Sequence, residues 1–82
     1  MGYATILGLD LGKFKSVCCA MDAVSGRHAF ETLASTPATI ADLLTRHAAA
    51  AGGEEILLVI ETCDAAGWVH DVGSATPGVT VT

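Results

Sequence analysis

The stretch Glu55–Glu61, "EILLVIE", decides how this chain folds. Its apolar residues run on without a polar alternate, so neither face of the strand they form is meant for water, which is the pattern of a buried parallel strand. A parallel strand needs a long crossover from its neighbour, usually a helix. The residues before it supply one. In "STPATIADLLTRHAAAAGG", Ser35 to Gly53, the side chains of Ile40, Leu43, Leu44, His47, Ala48 and Ala51 recur at helical spacing and form one apolar stripe. Thr36 is a suitable N-cap with Pro37 at the first helical position, and Gly52-Gly53 supplies a left-handed stop.

Upstream of this helix the period is that of strands. Tyr3 to Asp10 is apolar on both faces, Tyr3, Thr5, Leu7 and Leu9 against Ala4, Ile6 and Gly8, and reads as a central strand covered on both sides. Gly12-Lys13-Phe14-Lys15 turns the chain into Ser16–Asp22, and "AVSG" turns it again into a more polar run, Arg27–Leu33. Three strands on tight turns make an antiparallel meander. Downstream, "CDAAGWVHDVGSA" reads as a shorter helix weakened by Gly67, with Trp68 and Val72 as its packing face, and "VTVT" after Pro77-Gly78 begins a further strand. Ile6 and Leu57 are expected in the core, where truncation to alanine costs about 2–5 kcal/mol.

The predicted order is therefore β-β-β-α-β-α-β, an α/β chain whose meander continues through right-handed crossovers into parallel strands. This order resembles the ribonuclease H-like layer fold, in which strand four lies parallel beside strand one. Residues 1–82 are one small domain at most, 51% apolar and 16% charged. A net charge of −5 excludes an intrinsically basic nucleic-acid module and any polybasic tail. Cys18, Cys19 and Cys63 lack metal-ligand spacing and read as small buried groups in a reducing compartment. No signal peptide or membrane span is legible, so a cytoplasmic protein without a membrane partner is expected.

Asp10 needs an explanation, because a carboxylate ending an apolar run is costly to bury unless it is paired, hydrogen-bonded or bound to a cation. If the strands pair as predicted, Asp10 and Glu61 stand toward the carboxyl ends of neighbouring parallel strands, about 4.8 Å apart. Two such carboxylates could share divalent ions of the kind that serve phosphoryl transfer. The same residues also suit plain solvated or capping roles at a turn and a strand end. Lys13 and Lys15 could meet a phosphate or simply be solvated. Asp64, three residues after Glu61, reads as a helix cap; His47 reads as a half-buried packing residue; His28 and His70 form no ligand spacing with it.

Together, "GLDLGKFKS" and "LVIETCDAAGWVHD" resemble the N-terminal half of the RuvC-like domain of DEDD transposases, the insertion-sequence one-ten family of bacterial mobile elements. The resemblance spans nearly the whole chain and implies a RuvC-like mixed sheet that stops before its last helix, with residues 1–82 an incomplete N-terminal portion of the catalytic domain. It matches Asp10 to the first acid and Glu61 to the second of the four-acid set, with Mg2+ or Mn2+ as the ion they hold. Lys13 and Lys15 become candidate nucleic-acid contacts. The implied partners are the DNA of the mobile element and its target, a guide (bridge) RNA, and further copies of the full-length protein. The implied function is DNA transposition, by a parent enzyme that cleaves and transfers phosphodiesters; these 82 residues alone, with two of four acids, are expected to be inactive.

Three other functions fit parts of the pattern. A small RuvC-like Holliday-junction resolvase has a similar first hairpin and the same metal-assisted chemistry. Sugar kinases and actin-like ATPases open with an Asp-x-Gly hairpin that grips nucleotide phosphates, but carry Thr or Ser at a tip that here is Lys13-Phe14-Lys15. An inert structural fragment is the non-enzymatic alternative.

Overall fold

The computed structural model describes residues 2–60 and 66–82. In chain order it forms β1 (Thr5–Asp10), β2 (Lys15–Asp22), β3 (His28–Ala34), α1 (Pro37–Ala50), β4 (Ile56–Ile60), α2 (Ala66–Ala75) and β5 (Val79–Val81). One mixed sheet runs β3-β2-β1-β4-β5. β2 is antiparallel to both β1 and β3, whereas β4 is parallel to β1 and β5 parallel to β4. The expected element order and the parallel pairing of strands one and four are both present.

Local chemistry accounts for the ends of α1. The Thr36 hydroxyl accepts from the Thr39 amide at 3.3 Å, with Pro37 opening the helix. At the other end the Ala51 amide donates to the His47 carbonyl at 3.0 Å, and Gly52 and Gly53 follow with φ of 64° and 92°. Such φ values are strained for any side-chain-bearing residue, so the helix stops there.

The core lies on one face of the sheet. Leu7 and Leu9 of β1, Cys18 of β2, Leu33 of β3 and Ile56 and Leu58 of β4 point to the same side, where Ile40, Leu43 and Leu44 of α1 and Val69 of α2 meet them. Ser16, fully buried on this side, shares a 2.6 Å hydrogen bond with the Ser35 hydroxyl, which removes the cost of its burial. Arg46 ties α1 to β3 through Glu31 at 2.9 Å and to Asp42 at 3.0 Å, an exposed network of small energetic weight.

Three expectations are corrected here. The second face of β1 and β4 is not covered among the described residues: Ile6 and Leu57 are half-buried and Val59 is 38% exposed. Both helices went to the same side, so Leu7 and Leu58, rather than Ile6 and Leu57, carry the core. Of the cysteines, Cys18 is buried while Cys19, pointing the other way, is only half-buried; Cys63 lies outside the described residues. On α2 Trp68 and Val72 do pack against the core, as expected, but only half-buried, and the buried positions beside them are Val69 and Gly73. A side chain at position 73 would run into Val81 and Leu58, so the smallest residue sets how closely α2 approaches the sheet.

His47 is half-buried against the sheet, and its pKa is lowered, first by burial and then by neighbouring Arg46, with Glu31 opposing. A histidine whose folded pKa lies below its unfolded value, 6.5 here, binds fewer protons folded than unfolded, so its contribution is intact above that pH and is lost as pH falls below it. Thermal unfolding followed from pH 7.5 to pH 5 should show stability declining below about pH 6.5, with a shallower decline in His47→Gln. An equal slope in that variant would assign the decline to other groups.

Candidate functional site

Asp10 is the last residue of β1, at the carboxyl end of the strand that occupies the centre of the sheet. In open α/β sheets this end is where ligands collect. Its side chain is exposed and shares the uncovered face with Ile6 and Gly8, since Leu7, Leu9 and Leu11 turn the other way into the core. The apolar run therefore does not bury the carboxylate. Alternation along the strand delivers it to solvent, while the leucines around it hold the backbone in place.

The hairpin after Asp10 is constrained. Gly12 approaches the Lys15 carbonyl so closely that a Cβ there would collide with it, and the Ser35 amide donates to the Phe14 carbonyl at 2.9 Å, fastening the tip to the end of β3. Lys13, Phe14 and Lys15 are all exposed, and the Lys13 ammonium stands 5.4 Å from the centre of the Phe14 ring. Two of the chain's four basic residues thus project beside Asp10. Of the other two, Arg46 is engaged with Glu31 and Asp42.

Phe14 is the residue that sequence reasoning passed over. A phenylalanine is ordinarily assigned to packing, yet this one is 77% exposed. The available signal was its position between two lysines in a turn too short to fold back on the core.

Glu61 and Asp64 lie outside the described residues. The described pairing of β1 with β4 runs from Thr5 opposite Ile56 to Leu9 opposite Ile60, and Asp10 and Glu61 are the next residues in sequence on the two segments. Among the described residues no three histidine, cysteine, aspartate or glutamate side chains gather closely enough to hold a metal ion. His28 and His70 are exposed; His28 stands edge-on to Phe30 on the outer strand, and His70 meets Ser74 one helical turn on.

Two hollows in the surface open at the other end of β1. One, of about 290 Å3, is lined by Thr5, Asp22, Arg27, His28 and His47 among others; the second, of about 490 Å3, by Tyr3, Val24, Glu54 and Glu55. Neither reaches Asp10. The Asp22 carboxylate accepts from the Val24 and Ser25 amides, both at 2.9 Å, which lowers its pKa and explains it as a turn residue.

No helix among the described residues is long and apolar enough to cross a membrane. Compared with known proteins, the sequence matches no family model and no curated protein.

Proposed function

We propose that this chain is the first part of a ribonuclease H-like catalytic domain of the DEDD transposase kind, and that Asp10 and Glu61 are half of its site for Mg2+ or Mn2+. One observation carries the reading. β1 and β4 are parallel neighbours whose described pairing runs as far as Leu9 opposite Ile60, and the two acids are the next residues in sequence, which supports a pair of carboxylates sharing an ion. The strand order, with the meander on one side of β1 and the crossover strands on the other, agrees with that fold.

An exposed carboxylate at a strand end is a hard oxygen donor and fits such an ion. When bound, the ion polarises a phosphoryl oxygen and lowers the pKa of the attacking water. The chain's own residues orient and attract. β1 fixes Asp10, the hairpin pinned by Ser35 presents Lys13 and Lys15 to a phosphate backbone, and Phe14 offers a flat apolar surface on which an unpaired base can stack. The partners are accordingly DNA and, for the whole protein, a guide RNA.

Two carboxylates bind a hard ion weakly, with a dissociation constant on the order of 10⁻³ M, the range of the weakest oxygen-donor sites. Titration of the 82-residue chain with Mn2+, followed by loss of the free-ion electron paramagnetic resonance signal, should show such binding. It should disappear in Asp10→Asn and in Glu61→Gln. Undiminished binding in either variant would remove that residue from the site. A supercoiled plasmid incubated with the chain and Mn2+ should stay intact, since in-line displacement needs ions held by more donors than two.

A further inference from the structure

Lys13 and Lys15 stand close together in sequence, but the fold treats them differently. Lys15 is the first residue of β2, whereas Lys13 precedes the strand. In the pairing of β1 with β2, Asp10 stands opposite Val17. Lys15 is the next residue on the same side of β2 as Val17, so it projects from the face that carries Asp10, as its diagonal neighbour at about 7–8 Å. The alternate residues of β2, Ser16 and Cys18, are buried on the other side. The Lys13 ammonium instead lies 5.4 Å from the centre of the Phe14 ring.

Ser35 holds both neighbours of Lys15. Its amide donates to the Phe14 carbonyl at 2.9 Å, and its hydroxyl shares a 2.6 Å hydrogen bond with that of Ser16, which is fully buried. Ser35 is itself anchored, because the next residue, Thr36, caps α1 by accepting from the Thr39 amide at 3.3 Å. The backbone on either side of Lys15 is thus tied to the start of the helix. The Lys15 side chain is exposed, and both ion pairs among the described residues belong to Arg46.

Given Asp10 as an ion ligand, the reading proposed above, we infer that Lys15 binds the phosphate that meets that ion and that Ser35 is the residue that positions it. A lysine whose backbone is already ordered loses less freedom on binding than one in a loose turn. Lys13, outside the strand and against Phe14, is left to the flanking nucleotide. An ammonium this near the site repels a divalent ion and attracts phosphate oxygens, so removing it has two effects of opposite sign. Loss of a purely structural residue would lower both affinities together.

The test uses the 82-residue chain with Mn2+ and dimethyl phosphate, a phosphodiester without a base, at low ionic strength. Mn2+ affinity is read from the free-ion electron paramagnetic resonance signal, and phosphate beside the ion from the broadening of its phosphorus resonance by protein-bound Mn2+. Lys15→Gln should tighten Mn2+ by about twofold and reduce the broadening, at matched bound Mn2+, by at least about threefold. Lys13→Gln should leave the broadening nearly unchanged. Ser35→Ala should reproduce the loss of broadening with every charge in place, and Ser35→Thr should restore it. In the Lys15→Gln background Ser35→Ala should add nothing, since it acts through Lys15. Mn2+ binding undiminished in Asp10→Asn overturns the ion site, and the role of Lys15 with it. With Mn2+ binding dependent on Asp10, equal losses in Lys13→Gln and Lys15→Gln overturn the role of Lys15 alone. A Ser35→Ala loss that is absent, or that persists in full on top of Lys15→Gln, overturns Ser35 as the positioning residue.

Discussion

Leu58→Ala lowers the stability of this domain by about 2–5 kcal/mol, the usual cost of opening a cavity in a packed core. Its neighbour Leu57→Ala costs nearer 1 kcal/mol, because a half-exposed side chain recovers only part of its transfer free energy on folding. The two residues are adjacent on β4 and chemically identical, so the contrast isolates which face of the sheet the helices cover. Leu58 is fully buried and packs with Leu7 and the helices, and Leu57 lies on the uncovered side beside Ile6. For a domain of this length each kcal/mol moves the melting temperature by about 4–8 °C, so Leu58→Ala should melt roughly 8–40 °C lower. The measurement is thermal unfolding of dilute, monomeric protein by circular dichroism. Equal losses in the two variants would mean that both faces are packed. The parallel pair Leu7→Ala and Ile6→Ala should repeat the pattern on β1.

The second large effect is at the hairpin. Gly12→Ala places a Cβ against the Lys15 carbonyl, and backbone cannot yield as the end of a flexible side chain can. The hairpin must open or β2 must shift, at about 1–3 kcal/mol as in other overpacked sites. The shift acts on the residues that flank Asp10. Mn2+ binding should therefore weaken in Gly12→Ala even though no ligand has changed, whereas Gly67→Ala, with open space around it in a helix, should leave Mn2+ binding as it was and raise stability by up to about 1 kcal/mol. Unfolding and Mn2+ titration of the same two variants decide the matter: an unaltered melting temperature in Gly12→Ala would show the turn to be loose.

Much of the architecture was legible because it is written in local chemistry. The helical period of Ile40, Leu43 and Leu44, the Thr36-Pro37 start and the Gly52-Gly53 stop are short-range signals, and they bound α1 as expected. Strand limits were legible to within a residue or two for the same reason. The position of Asp10 as the last residue of its strand could also be read, from the apolar run before it and the glycine and lysines after it.

Local pattern does not say which side of a sheet a helix will choose. Tyr3–Asp10 and Glu55–Glu61 are apolar on both faces, so their composition called for two covering layers, and only the three-dimensional arrangement showed α1 and α2 together on one of them. That choice moved the core from Ile6 and Leu57 to Leu7 and Leu58, separated Cys18 from Cys19, and left Phe30 exposed. Phe14 belongs with these. It stands exposed in the hairpin, whose backbone is tied to the end of β3 by the Ser35 amide donating to the Phe14 carbonyl. The sequence by itself determined the elements, their order and the strand end that bears Asp10, because these follow from interactions between residues near one another in the chain. Tertiary structure decided which apolar face is core and which is left uncovered among the described residues, because that depends on where segments distant in sequence find room to pack.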